Sequence, residues 1–158
     1  MGIDFGLKRI GIALSDSLKV FAYAHSTILN NGKTFFELEK IIKEKKIIKI
    51  VLGIPNENYV SKTSVANDIV KFKETLEKKF FLPVIFWDET YTSSIAQQRI
   101  LESVKKKQKR KNKSLLDMYS AAIILQEYLD SIKLDWRIDF ASSTDYFILS
   151  NIFLGACY

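Results

Sequence analysis

Apolar and polar residues along the first thirty positions predict three short strands. GIDFG (residues 2–6) is the first, and a turn at Leu7-Lys8-Arg9 leads into the second, IGIALS. After the polar break Asp16-Ser17, the apolar stretch from Val20 to Leu29 reads as a third strand. Connections this short imply an antiparallel meander. Beyond Asn30-Asn31-Gly32, the segment FFELEKIIKEKK sets Phe35, Leu38, Ile41 and Ile42 at helical spacing. IIKIVLGIP, an apolar run stopped by Gly53 and Pro55, predicts a buried parallel strand. Residues 62–79 carry Val65, Ile69, Phe72 and Leu76 at intervals of three to four, a helix with a basic outer face. LPVIFWDE reads as another buried strand, SSIAQQRILESV as a helix, residues 105–113 as a loop and SLLDMYSAAIILQEYLD as a last helix.

A meander followed by alternating helices and strands predicts an α/β fold: a mixed five-stranded sheet with helices on both faces. Right-handed crossovers place the first strand near the sheet centre, beside the fourth and fifth. Ligands in such sheets gather at the carboxyl ends of the strands near the switch point, where Asp4, Gly53 and Glu89 would sit. From Ile132 onward the pattern changes to an aromatic stretch with little charge and no clear helical period. Residues 1–131 therefore read as one domain and 132–158 as a C-terminal extension without an assigned role, open to being a strand, a packing arm or a loose end.

At 158 residues, 47% hydrophobic and 27% charged, the chain has the size and composition of a globular domain. No apolar run reaches the ~18 residues of a membrane span, no secretory signal is visible, and a single cysteine, Cys157, excludes an internal disulfide. These features fit a cytoplasmic protein without membrane contact. Lys and Arg outnumber Asp and Glu by 24 to 18, and seven of the nine residues 105–113 are basic. Such a block is either a solvated loop or a contact for a nucleic-acid backbone. The only histidine is His25, which excludes His-dependent triads and multi-His zinc sites within one chain. Hydrolytic chemistry here would rest on carboxylates.

Three places offer them. Asp4 is flanked on its own face of the strand by Gly2 and Gly6, which would leave room for a metal-bound phosphate. Its plainer reading is a turn-capping or salt-bridged aspartate. Asp88 and Glu89 are adjacent at a strand end and point to opposite faces, so only one can join Asp4, and periodicity does not choose between them. Both also suit the positive N-terminal end of a following helix. Asp117 has a capping-box spacing from Ser114, yet shares a helical stripe with Ala121, Ile124 and Tyr128, and the small Ala121 and Ala122 would let that helix approach the sheet. Clustered carboxylates repel unless a divalent cation lies between them. A pair of such ions serves phosphodiester hydrolysis, and the basic loop before Asp117 would hold the substrate backbone.

GIDFGLKRIGIALSD, GIP in the fourth strand, DETYTSS in the fifth and LLDMYSAAIILQEYLD in the last helix resemble the YqgF family, in order over residues 1 to about 131. Its members are described as pre-16S rRNA nucleases or Holliday-junction-resolvase-like proteins with an RNase H-like fold. The resemblance implies that Asp4, Glu89 and Asp117 are the catalytic, metal-binding acids, holding Mg²⁺ or Mn²⁺, two ions in all, and it selects Glu89 over Asp88. It implies a bacterial cytoplasmic nuclease acting on precursor rRNA or, alternatively, branched DNA, with a homodimer needed for symmetric junction cutting. Lys8 and Arg9 on the first turn, with Lys105, Lys106, Lys107, Lys109, Arg110, Lys111 and Lys113, become the nucleic-acid contacts. The sequence departs from the family at Thr90, where Arg is usual, at Glu57 and Val60, where Asn and Gly are usual, and in its longer tail.

Two other readings compete. GIDFG also resembles the first phosphate loop of sugar kinases, actin and Hsp70-type ATPases, but these 158 residues hold neither a second such domain nor a second Gly-rich loop. The basic block alone would equally serve a non-catalytic RNA-binding module.

Overall fold

Ile3, Ile10, Ile12 and Leu14 alternate with Gly2, Gly11 and Ala13 along the first two strands, so one face of the sheet is bulky and the other nearly bare. The computed structural model describes residues 1–54, 64–88 and 113–142. Its strands are β1 (Gly2–Phe5), β2 (Arg9–Ser15), β3 (Ala22–Leu29), β4 (Ile50–Ile54) and β5 (Val84–Asp88), and its helices are α1 (Thr34–Glu44), α2 (Ser64–Phe80) and α3 (Lys113–Ser142). The strands lie in the order β3-β2-β1-β4-β5. Antiparallel pairing joins β3 to β2 and β2 to β1, and parallel pairing joins β1 to β4 and β4 to β5. The fold is thus the expected mixed α/β sheet of RNase H-like type, with β1 at its centre.

The bulky face packs Ile3, Ile10, Ile12, Leu14 and Leu52 against Leu38 of α1 and Ile69, Phe72 and Leu76 of α2. The bare face receives α3 through Ala121, Ala122, Ile124, Leu125 and Leu129, which meet Ala13 and Val51. A Cβ added at Gly2 would lie 2.7 Å from both the Ala121 carbonyl oxygen and the Leu125 Cβ, and one at Gly11 would overlap the Asp117 carbonyl. These glycines form a channel in which the helix rests, and the small residues of α3 complete the fit. One expectation is corrected here. Gly2 makes room for α3 and not for metal or phosphate, and a Cβ at Gly6 would meet the Arg9 carbonyl oxygen at 2.6 Å, so its bareness lets the β1–β2 turn close.

The helix α3 begins at Lys113, which the sequence pattern assigned to the preceding loop, and Ser114 is its second residue. It then runs past residue 131 to Ser142, because nothing between Ile132 and Ser142 is a glycine or proline that would stop it. The start of the extension is therefore helix. The strand β4 begins at Ile50 and not Ile47, since residues 45–47 are spent in leaving α1: Lys46 takes φ 51° and the Ile47 amide donates to the Ile42 carbonyl at 3.0 Å. The helix expected at 93–104, the basic residues 105–112, the segment 55–63 with Glu57 and Val60, Glu89, Thr90 and the tail 143–158 lie outside the described residues.

Candidate active site

Asp4 pairs with Gly11 across β1 and β2, and directly opposed residues project from the same face of a sheet. Gly11 is the position against which the backbone of Asp117 rests. Asp4 therefore stands on the face covered by the first turns of α3, while its neighbours Ile3 and Phe5 enter the opposite core. Two residues before Gly11, Arg9 shares its face, and its Nε donates to Oδ2 of Asp117 at 2.6 Å. A further tie fixes the helix end, the Thr27 hydroxyl of β3 donating to the Ser114 carbonyl at 2.6 Å. The sheet and the helix thus bring two acids and one arginine, from residues 4, 9 and 117, to one place.

The expected convergence of Asp4 and Asp117 on one face is present. The expected stripe of Asp117 with Ala121, Ile124 and Tyr128 also packs on the sheet, with Ala121 and Ile124 buried. The Asp117 carboxylate, for which capping was the plain reading, accepts from Arg9. Arg9, expected as a backbone contact for nucleic acid, is engaged with an acid of the site. Lys8 is exposed on the β1–β2 turn, and Lys113 is exposed at the start of α3. Asp88 closes β5 opposite Ile54 of β4, whereas Glu89, Lys105, Lys106, Lys107, Lys109, Arg110 and Lys111 fall outside the described residues. Among the described residues no group of three or more His, Cys, Asp or Glu side chains could hold a metal ion. Two carboxylates on one face nonetheless fit such a group chemically, since hard divalent cations take oxygen donors and are often held by one or two carboxylates plus substrate phosphate.

Other polar features lie elsewhere on the α3 face. Trp87 Nε1 donates to Glu127 Oε2 at 3.2 Å, and burial holds the Glu127 carboxyl above its usual range despite that bond. A cavity of about 220 Å³ opens among Met1, Lys49, Val51, Tyr128 and Leu129, at the strands' amino ends and away from Asp4. Sequence reasoning did not single out one residue beside the acids, Gly11. Its offset of two from Arg9 was a signal that both face one way. The Arg9–Asp117 contact had no local signal.

A central β1 between antiparallel β2 and parallel β4, with acids from β1 and from α3 on one face, defines the RNase H-like class of α/β proteins. Comparison with known proteins places the chain within that class. Residues 1–131 match the family model RuvX, described as "Holliday junction resolvase", and the chain belongs to this family, the one resembled above as YqgF. It is 40% identical over 134 residues to a Sulfurihydrogenibium protein named "Putative pre-16S rRNA nuclease", covering 84% of this chain and 90% of that one. A protein of the same name from Clostridioides difficile is 39% identical over 132 residues, 82% of this chain and 92% of its own length.

Proposed function

We propose that the protein is a metal-dependent endonuclease that hydrolyses phosphodiester bonds of precursor 16S rRNA near its 5′ end. The observation that carries the reading is the joint placement of Asp4 and Asp117 on one sheet face, in a chain whose relatives bear that name. Asp4 and Asp117 would hold the cation, Mg²⁺ or Mn²⁺, with Glu89 as the third ligand. Bound there, divalent cations would activate the attacking water and steady the leaving oxygen.

The chain's own side chains supply the rest. Lys8 on the β1–β2 turn and Lys113 at the start of α3, both exposed, would neutralise substrate phosphates together with the basic residues 105–111, as a polyanionic backbone requires. Among the described residues no helix is long and apolar enough to cross a membrane.

The test is cleavage of a 5′-extended 16S precursor by the purified chain with Mg²⁺ or Mn²⁺. Asp4→Asn and Asp117→Asn are expected to slow cleavage about 100-fold or more while retaining RNA binding. Binding without any metal-dependent cleavage by the wild type would make the protein a binding module instead. The family description favours a second reading, junction resolution. It requires cleavage of a four-way DNA junction and a dimer in solution, because symmetric cutting needs two active sites.

A further inference from the structure

We infer that Arg9 is a positioning residue for the Asp117 carboxylate, holding one of its oxygens so that the other is presented to a divalent cation. The inference rests on the reading of Asp4 and Asp117 as cation ligands. Arg9 and Gly11 are two residues apart on β2 and face α3 together. Gly11 seats the backbone of Asp117, and Arg9 seats its side chain, so the residue is held at both ends. The arginine contact is single-pronged, running from Nε to Oδ2 at 2.6 Å. A forked guanidinium contact would engage both carboxylate oxygens, whereas this one leaves Oδ1 uncommitted to Arg9.

Two effects of Arg9 on a cation at Asp117 oppose each other. Orientation favours binding, since metal-ligating carboxylates are themselves hydrogen-bonded and loss of that partner costs about 10- to 100-fold in affinity. Like-charge repulsion disfavours it. The side chains of the pair are 31% and 26% exposed, so water reaches them and screens the repulsion. Orientation does not depend on screening, and it prevails.

The experiment is a titration of the full chain with Mn²⁺, following free Mn²⁺ by electron paramagnetic resonance, with folding of each variant checked by its thermal midpoint. Arg9→Ala is expected to weaken binding about 10-fold or more, and Arg9→Gln, which keeps a donor, to recover part of the loss. Unchanged or tighter binding in Arg9→Ala overturns the inference. Asp4→Asn and Asp117→Asn run in the same assay separate the two levels: if they leave Mn²⁺ binding intact, the reading of these acids as ligands fails. Should Arg9→Ala not fold, the Arg9 Nε–H resonance of the ¹⁵N-labelled wild type decides. It is expected to stay protected from solvent exchange at saturating Mg²⁺, and loss of protection on metal binding would make Arg9 a competitor of the cation.

Discussion

Gly11 lacks a side chain, and that absence fixes where Asp117 stands. The first turn of α3 can lie against β2 only because no Cβ projects there, and the contact is with backbone, which cannot swing aside. Gly11→Ala is expected to force α3 off the sheet, costing about 1–3 kcal/mol as overpacking does, and to weaken Mn²⁺ binding in step. Urea denaturation and metal titration of the variant check both. Asp4 and Asp117 were legible as candidate acids because a carboxylate in an apolar strand or on a core-facing helical stripe is costly without a partner. Their setting was not. The bareness of Gly2 was assigned to a ligand when it belongs to a helix, since a glycine reports that something approaches and is silent on what.

At the scale of elements, the hairpin between β2 and β3 is closed by Asp16. Its Oδ1 accepts from the Val20 amide at 2.7 Å and the Phe21 amide at 3.0 Å, while its own amide donates to the Phe21 carbonyl at 2.9 Å. The Phe21 amide foremost, with that of Val20, holds the carboxyl below its ordinary value of 3.8. A carboxyl depressed in the folded state stabilises it above the unfolded pKa, and the contribution disappears as pH falls through the folded one. Asp16→Ala is therefore expected to lower the urea midpoint at neutral pH, and the gap from wild type to narrow as pH drops below the ordinary aspartate value. The same turn is gripped by α3, where Gln126 Oε1 accepts from the Ala22 amide at 2.8 Å and its Nε2 donates to the Val20 carbonyl at 3.1 Å. The strands and helices were read from period and turn residues. Their ends shifted where capping and tertiary contact compete with pattern, as at Ile50 and at the start and finish of α3.

Across the whole molecule, the net charge of +6 and its concentration in residues 105–113 bear on substrate binding. Replacing Lys105, Lys106 and Lys107 by Gln is expected to weaken RNA binding and reduce the slope of log affinity against log salt by about 2–3, as the loss of that many phosphate contacts would. An unchanged slope would show the block to be solvated. Mixed-sheet topology followed from the order of elements, because a meander and right-handed crossovers leave few arrangements.

The sequence by itself determined the α/β class and the order of the described strands and helices, and it singled out Asp4 and Asp117 as candidate acids, because these reside in local periodicity and in the cost of a carboxylate among apolar neighbours. Tertiary structure alone decided that Gly2 and Gly11 serve the helix and that Asp117 is held by Arg9. Those residues lie 108 positions apart, and they meet only because two faces pack without intervening side chains, a relation of shape that no pattern along the chain contains.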